Sequence, residues 1–480
     1  MPTSKRCWRR NGSIAASTQR SSAISAAAPR PRVTALALAV GIVLADSSIV
    51  VLALPEIYRD LETSVAGVTW VLVSFNLVMA LAAVPAALLA RRVGPGRAAA
   101  VGLAIFAGAG LACGLAGDLS TLIVARCVQA LGGAAAVTAA LELLPATVGS
   151  ERRAATVWAG AGATGAALGP AIGGLLTELV SWQSIFLLQV PAALGAAVPI
   201  LAVARHEAAT GIIEPELRRT GRPHLWANLA LAMVSAAIAA ALFLLVLLLI
   251  EGWRMSPIAA AIVVSVMPLA AILASRLTGP GPDARARAAG GAILVSGGLA
   301  GLAFLPKATV VLTLPPQLLI GVGLSLVLSA LTETALGGRA PQAIHGGWTI
   351  SSRHAGVVIG LLALTPIFTA DIAEQRRDAI DAGTAVILDS PVSPLLKLDL
   401  ADRIDERLEQ ERGKVPTLGP VFEPLPTDSG ERAEVVQLRD ELQDQLDRGA
   451  THAFSTSFLL AALLGLFALA PIALARRVDL

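Results

Sequence analysis

Apolar residues along this chain come in long blocks, not in alternation. Twelve mostly uncharged stretches lie at 33–55, 68–90, 98–116, 121–144, 154–176, 185–203, 226–250, 257–277, 289–305, 310–331, 346–370 and 453–475. A helix of roughly 20 such residues crosses the hydrocarbon core of a bilayer. Short polar turns separate most of them. The pattern therefore predicts an all-α integral membrane fold of twelve transmembrane helices. The fifth stretch holds "GAALGPAIGG" (165–174), in a run with no charge between Arg153 and Glu178. Gly165, Gly169 and Gly173 recur every four residues and form one smooth ridge, beside a second made of Gly162, Ala166, Pro170 and Gly174. In lipid, such ridges let helix backbones approach closely, and a proline inside a helix removes one backbone bond and bends it. The spacing fits either plain tight packing or a surface that slides and reseats.

A repeat organises the blocks. "PAALLARRVGPGRAAAVGLAIFAGAGLA" begins at Pro85 and "PLAAILASRLTGPGPDARARAAGGAILVSGGLAGLA" at Pro268. Each runs from a helix-interior proline through an arginine-bearing helix end and a Gly-Pro-Gly turn into a glycine-rich helix. This places the second and third helices on the eighth and ninth. Parallel six-helix halves with a substrate site between them are one way secondary transporters are built. The expected division is a basic disordered tail (1–32), an N-terminal six-helix bundle (33–203), a polar linker (204–225), a C-terminal six-helix bundle (226–475) interrupted by an acidic insert (371–452), and a short C-terminus (476–480).

Composition agrees with a lipid solvent. Of 480 residues 55% are hydrophobic and 15% charged, with a mean hydropathy of +0.71; soluble domains are nearer a quarter charged. Lysine and arginine fall on the tail, the linker and alternate loops, while the opposite short loops carry only Arg59, Arg254 and Lys307. That asymmetry puts both termini in the cytoplasm of a multi-pass cell-membrane protein and the insert outside. The apolar run after the tail contains Asp46 and is followed by no small-residue cleavage site, unlike a secretory signal. Three cysteines give neither a disulfide framework nor metal-ligand spacing. His206, His224, His345 and His452 are expected in loops and His354 near a helix end, none with a ligand partner. No catalytic constellation, metal or cofactor site follows, and no strand precedes a glycine-rich run, so nucleotide binding is excluded. Nothing points to nucleic acid. Work must come from an ion gradient.

Two charges lie deep in the apolar blocks. Asp46 is about 20 Å into the first helix at 1.5 Å per residue, and Arg126 stands at a matching depth in the fourth. Intramembrane charges are costly unless paired and mark function by default. They fit a proton switch, with Gln129 one turn from Arg126 sharing its hydrogen bonds; the bland alternative is a fixed pair holding two helices. Trp70, Phe75, Asn76 and Trp158 are candidate liners of a substrate cavity.

Several of these stretches resemble the major facilitator superfamily, specifically its drug:proton antiporter branch. "ADSSIVVLALP" (45–55) resembles the acidic motif closing the first helix, "WVLVSFNLVMALAAVP" (70–85) the second helix, and "ARCVQALGGA" (125–134) the fourth-helix arginine motif. "GAALGPAIGG" matches the fifth-helix antiporter motif, while "SWQSIFLLQVP" (181–191) and "GWRMSPIAAAIVVSVMP" (252–268) are similar to the fourteen-helix subfamily. The two extra helices of that subfamily are absent here. The resemblance implies that Gly165, Gly169, Pro170, Gly173 and Gly174 form a gating helix, and that Asp46 and Arg126 couple protons to transport. One departure stands out. "ALLARRVGPGR" (87–97) carries Arg91 where the family's cytoplasmic loop has an aspartate that takes part in a charge lock. Arg91, Arg92, Gly94, Arg97 and Glu142 are the candidate cytoplasmic gate, with Glu142 either locking to Arg91 or snorkelling to the interface.

In the insert, Leu400, Ile404 and Leu408 share one helical face, as do Val435, Leu438, Leu442 and Leu446. Two such stripes pack on each other or on a partner. A solvated cap and a dock for an envelope partner are both consistent with them. The expected function is proton-coupled efflux of amphipathic or drug-like small molecules by alternating access. A dedicated exporter of one self-made metabolite or envelope lipid is the alternative within that class, and a non-transporting sensor acting through the insert the alternative outside it.

Overall fold

The computed structural model describes residues 30–210, 221–277, 283–337, 339, 341–393, 397–400, 402–404, 406, 418–423 and 429–475. The expected tail (apart from 30–32), the middle of the linker, the second Gly-Pro-Gly turn, the far end of the first insert stripe with Leu408, and the C-terminus lie outside these residues. Every expected crossing is a helix. They are α1 (Arg30–Asp60), α2 (Val65–Val93), α3 (Pro95–Gly114), α4 (Leu119–Val148), α5 (Glu151–Leu179) and α6 (Ser184–Thr210). After the linker come α7 (Leu225–Leu247), α8 (Pro257–Leu277, interrupted at Ser265), α9 (Ala284–Ala303), α10 (Val310–Leu336) and α11 (Gln342–Asp389). The insert helix α12 (Ser429–His452) precedes α13 (Ser455–Phe467) and the short α14 (Leu469–Leu474). Among the described residues, twelve helices are long and apolar enough to cross a membrane.

Local sequence sets the turns. Ser64, Asp118, Ser150 and Ser256 each cap a helix start by accepting a backbone N–H three residues on. Gly94 takes a φ of 96° between α2 and α3, a conformation open to glycine, and Pro95 then starts α3.

The helices form two six-helix bundles with the same internal arrangement. In the first, α1 lies along α5, α3 along α4, and α3 also along α6; in the second α7 lies along α11, α9 along α10, and α9 along α13. The close approaches repeat too. A Cβ on Gly102 would stand 2.7 Å from the Gly132 carbonyl, and one on Gly291 2.6 Å from that of Gly323. With no driving hydrophobic force between helices in lipid, such backbone contacts hold the bundles together. The bundles meet along α2 against α11 and α5 against α8.

Two expectations change. The eleventh helix does not stop at 370: α11 is a single helix of 48 residues to Asp389, because its amphipathic pattern persists after the apolar run ends. It packs on α12, and Ile387, Leu400, Val421, Phe422, Leu438 and Leu442 join in the insert's own apolar core. The histidines also move. His345 lies inside α11 at 2% exposure and His354 further into the same helix. His206 falls within the C-terminal part of α6 and His452 ends α12, while His224 stays outside the helices as the cap of α7. Helices simply extend beyond the apolar runs that signalled them.

Candidate functional site

Asp46 of α1 and Arg126 of α4 are both fully buried and form an ion pair. Arg126 Nη1 also donates to Gln129 Oε1 at 2.7 Å, and its Nε donates to the Val71 carbonyl of α2 at 3.3 Å. The guanidinium lies 4.2 Å over the Phe75 ring centroid and 5.5 Å from that of Phe186 on α6. Both rings present their negative faces to the cation. Cys113 of α3 reaches the same Gln129 oxygen, with Sγ at 3.7 Å. Three helices besides its own thus converge on one guanidinium, and α3 joins through Gln129. The network is not saturated: Asp46 Oδ1, Arg126 Nη2 and Gln129 Nε2 are buried without a hydrogen-bond partner. A proton added at Asp46 Oδ1 displaces no existing bond, and Arg126 keeps its bonds to Gln129 and Val71 independently of Asp46.

The glycine ridge faces α1 and α8. A Cβ on Gly165 would run into the Gly41 carbonyl, on Gly169 into the Ser48 hydroxyl, and on Gly173 into the Ile49 carbonyl. Gly174 faces the other bundle, where a Cβ would stand 2.6 Å from the Pro257 carbonyl. Pro170 is buried between them. One turn on, Glu178 accepts from the Ile258 backbone N–H at 2.7 Å, so α5 caps α8 across the bundles.

The candidate cavity residues separate. Phe75 is packed beneath Arg126. Trp158 is 1% exposed inside the first bundle, its indole N–H donating to the Val137 carbonyl at 3.1 Å. Trp70 is exposed. Asn76 is 1% exposed and lies on the seam between bundles, where its Oδ1 meets His354 Nδ1 at 2.6 Å. That link was invisible in the sequence, although both residues are polar interruptions in apolar runs.

At the face holding the first helix start, Gly347 of α11 lies against the Ala83 backbone of α2, and Ala87, Ala343 and Ile344 form a small apolar cluster. Arg92 and Arg97 are exposed there, and Gly94 is buried. Arg91 and Glu142 are half-buried, and the ion pairs of the described residues do not join them. In the second bundle Glu333 pairs with Arg287 at 2.7 Å. At the opposite face the insert is fastened to the α7–α8 loop: Arg254 pairs with Asp447 at 2.9 Å, and the Trp253 indole donates to the Thr451 hydroxyl at 3.0 Å.

Residues 36–365 match the family model of the Major Facilitator Superfamily. The chain is 40% identical over 187 residues to the tetracenomycin C resistance and export protein of Streptomyces glaucescens, covering 38% of this chain and 35% of that one. It is 35% identical over 257 residues to the methylenomycin A resistance protein of Streptomyces coelicolor, covering 51% and 50%. It is 38% identical over 178 residues to the drug efflux pump JefA of Mycobacterium tuberculosis, covering 36% and 35%. These alignments span a third to a half of the relatives' length. In fold, it resembles a bacterial homolog of the human lysosomal transporter Spinster, solved in an inward-facing and occupied conformation. The TM-score is 0.58 at 16% identity, over 93% of this chain and 96% of that one.

Proposed function

The chain belongs to the Major Facilitator Superfamily, and we propose that it exports amphipathic, drug-like small molecules in exchange for protons by alternating access. It is a multi-pass membrane transporter and not an enzyme. The observation that carries the coupling is the fully buried Asp46–Arg126 pair, with one carboxylate oxygen left without a partner. A buried pair that loses one charge is strongly destabilised. Protonation of Asp46 is therefore felt by the helices that meet at Arg126, α1, α2, α4 and α6. The glycine ridge supports the moving part: α5 touches α1 backbone to backbone and reaches α8 with its far end, so a small roll of α5 loosens the seam at the insert face. The arginine asymmetry supports a cytoplasmic position for the face with Arg91 and Arg97, and with it for both termini.

The test is flux in proteoliposomes after a pH jump, with a panel of amphipathic compounds. Asp46→Asn keeps the shape and a carbonyl oxygen for Arg126 but cannot release a proton. It is expected to insert and melt like the parent and to lose proton-driven export; parent-like flux would remove the coupling role. The names of the two Streptomyces relatives, each tied to a single antibiotic, favour a dedicated exporter as the second reading. A panel in which one compound alone is moved would select it. Removing the insert separates either reading from a sensor, since a transporter keeps flux without it.

A further inference from the structure

Asp46 has a polar connection to the second bundle. Ser47, its neighbour on α1, points its hydroxyl at Asn76 Oδ1 of α2 at 3.4 Å. Asn76 Nδ2 is committed to the Leu72 carbonyl at 2.8 Å. Its Oδ1 is then the atom that meets His354 Nδ1 of α11 at 2.6 Å, and the proton in that bond resides on the histidine. Asn76 is 1% and His354 9% exposed, so this hydrogen bond closes the seam between bundles from inside. It lies at mid-span, with Gly347 against Ala83 and the Ala87–Ala343–Ile344 cluster on its terminal side. Among the described residues, the charged and titratable groups around the chain of bonds are Arg126 and Cys113 at the Asp46 end and Arg353 beside His354.

We propose that Asn76 and His354 are a latch between the two bundles that reads the state of Asp46 through Ser47. This rests on Asp46 being the proton-coupling group. While Asp46 is paired with Arg126, α1 holds Ser47 on Asn76 and the amide keeps its oxygen toward α11. When Asp46 is protonated its ion pair with Arg126 is lost, Arg126 stays held by Gln129 and Val71, and α1 is free to shift on α2. Ser47 then leaves, the Asn76 amide turns, and α11 separates from α2 at the terminal face. The residues act through Asp46 and position the seam; they need not touch the transported molecule.

The experiment measures closure of the terminal face directly. Ala343→Cys places a thiol in the buried α2–α11 cluster of the full chain in lipid nanodiscs, and peptide-resolved mass spectrometry follows its maleimide labelling between pH 5 and 9. Each rate is divided by that of the same cysteine in the denatured chain at the same pH, because the thiolate is the reacting form. The parent is expected to label faster, on that normalised scale, toward the acid end. Asn76→Ala and His354→Ala are each expected to raise labelling at high pH by roughly 3- to 20-fold, the range one interhelical hydrogen bond in a membrane supports, and to flatten the pH response. The double variant should add nothing beyond either single one. His354→Gln restores an N–H donor and should restore closure; Ser47→Ala, the mildest change, should leave closure at high pH but shift the pH response. A pH response unchanged in both alanine variants, or effects that add in full, would overturn the latch. Asp46→Asn distinguishes the two levels. If it abolishes the response while the alanine variants retain it, the latch is wrong and proton coupling stands. If it retains the response, coupling through Asp46 falls, and the latch as its reader falls with it.

Discussion

Gly165→Ala adds one methyl group to α5, and the structure says where that group goes. It meets the carbonyl oxygen of Gly41 on α1 and stands 2.9 Å from the Gly41 Cα. These are backbone atoms, which cannot rotate away as a side chain can. The helices must therefore part, and overpacking of this kind costs typically 1–3 kcal/mol. Against it stands the higher helix propensity of alanine, about 1 kcal/mol over glycine. Gly160, on the same helix, has nothing within 4 Å of a built Cβ, so Gly160→Ala receives the propensity gain alone. The propensity gain is common to both and cancels, so the two variants are expected to differ by roughly 1–3 kcal/mol, the overpacking cost alone. The assay is thermal unfolding in nanodiscs, paired with cysteine accessibility at the seam. Gly160→Ala should melt at or above the parent temperature, and Gly165→Ala well below it with altered accessibility. Equal melting of the two would show that α1 and α5 do not touch at Gly41, and the reading of the ridge would fail.

Charge reversal tests the Arg91 departure. In the cycle of Arg91→Glu and Glu142→Arg, effects on leak are expected to be additive, because the two are not an ion pair in this conformation; a coupling of roughly 0.5–3 kcal/mol would show that they meet in another state. At the start of α4, Thr121 donates both its backbone N–H and its hydroxyl to Asp118, which holds that carboxyl below its ordinary value. The cap's contribution is thus present above the ordinary carboxylate range and lost as pH falls through the lowered value, below about 3.9. Asp118→Asn, which cannot titrate, is expected to remove that acid-sensitive part of thermal stability; an unchanged acid limb would refute the assignment. Arg254→Ala is expected to loosen the insert, seen as faster proteolysis of α12 with export retained. Unchanged proteolysis would mean that the Trp253–Thr451 bond alone suffices.

Order along one helix is legible without a fold. The twelve crossings, the two bundles and the ridge of Gly165, Gly169 and Gly173 follow from hydropathy and spacing, because a bilayer satisfies no backbone group and each crossing must be a self-contained helix. The same rule made Asp46 and Arg126 conspicuous, since a charge in lipid needs a partner and the two stood at one depth. The partners from other helices are another matter. Phe75 under Arg126, Trp158 on the Val137 carbonyl, and Asn76 on His354 depend on which face each helix turns inward. A helix hydrophobic all round carries little information about that rotation. The reach of α11 to Asp389 was hidden by the change of solvent at the membrane surface, where an apolar run ends and the helix does not. What the sequence determined by itself was therefore the number, length and costly charges of the helices. Only the tertiary structure decided which side chains meet, because in lipid that choice is made by close packing between surfaces that are all equally apolar.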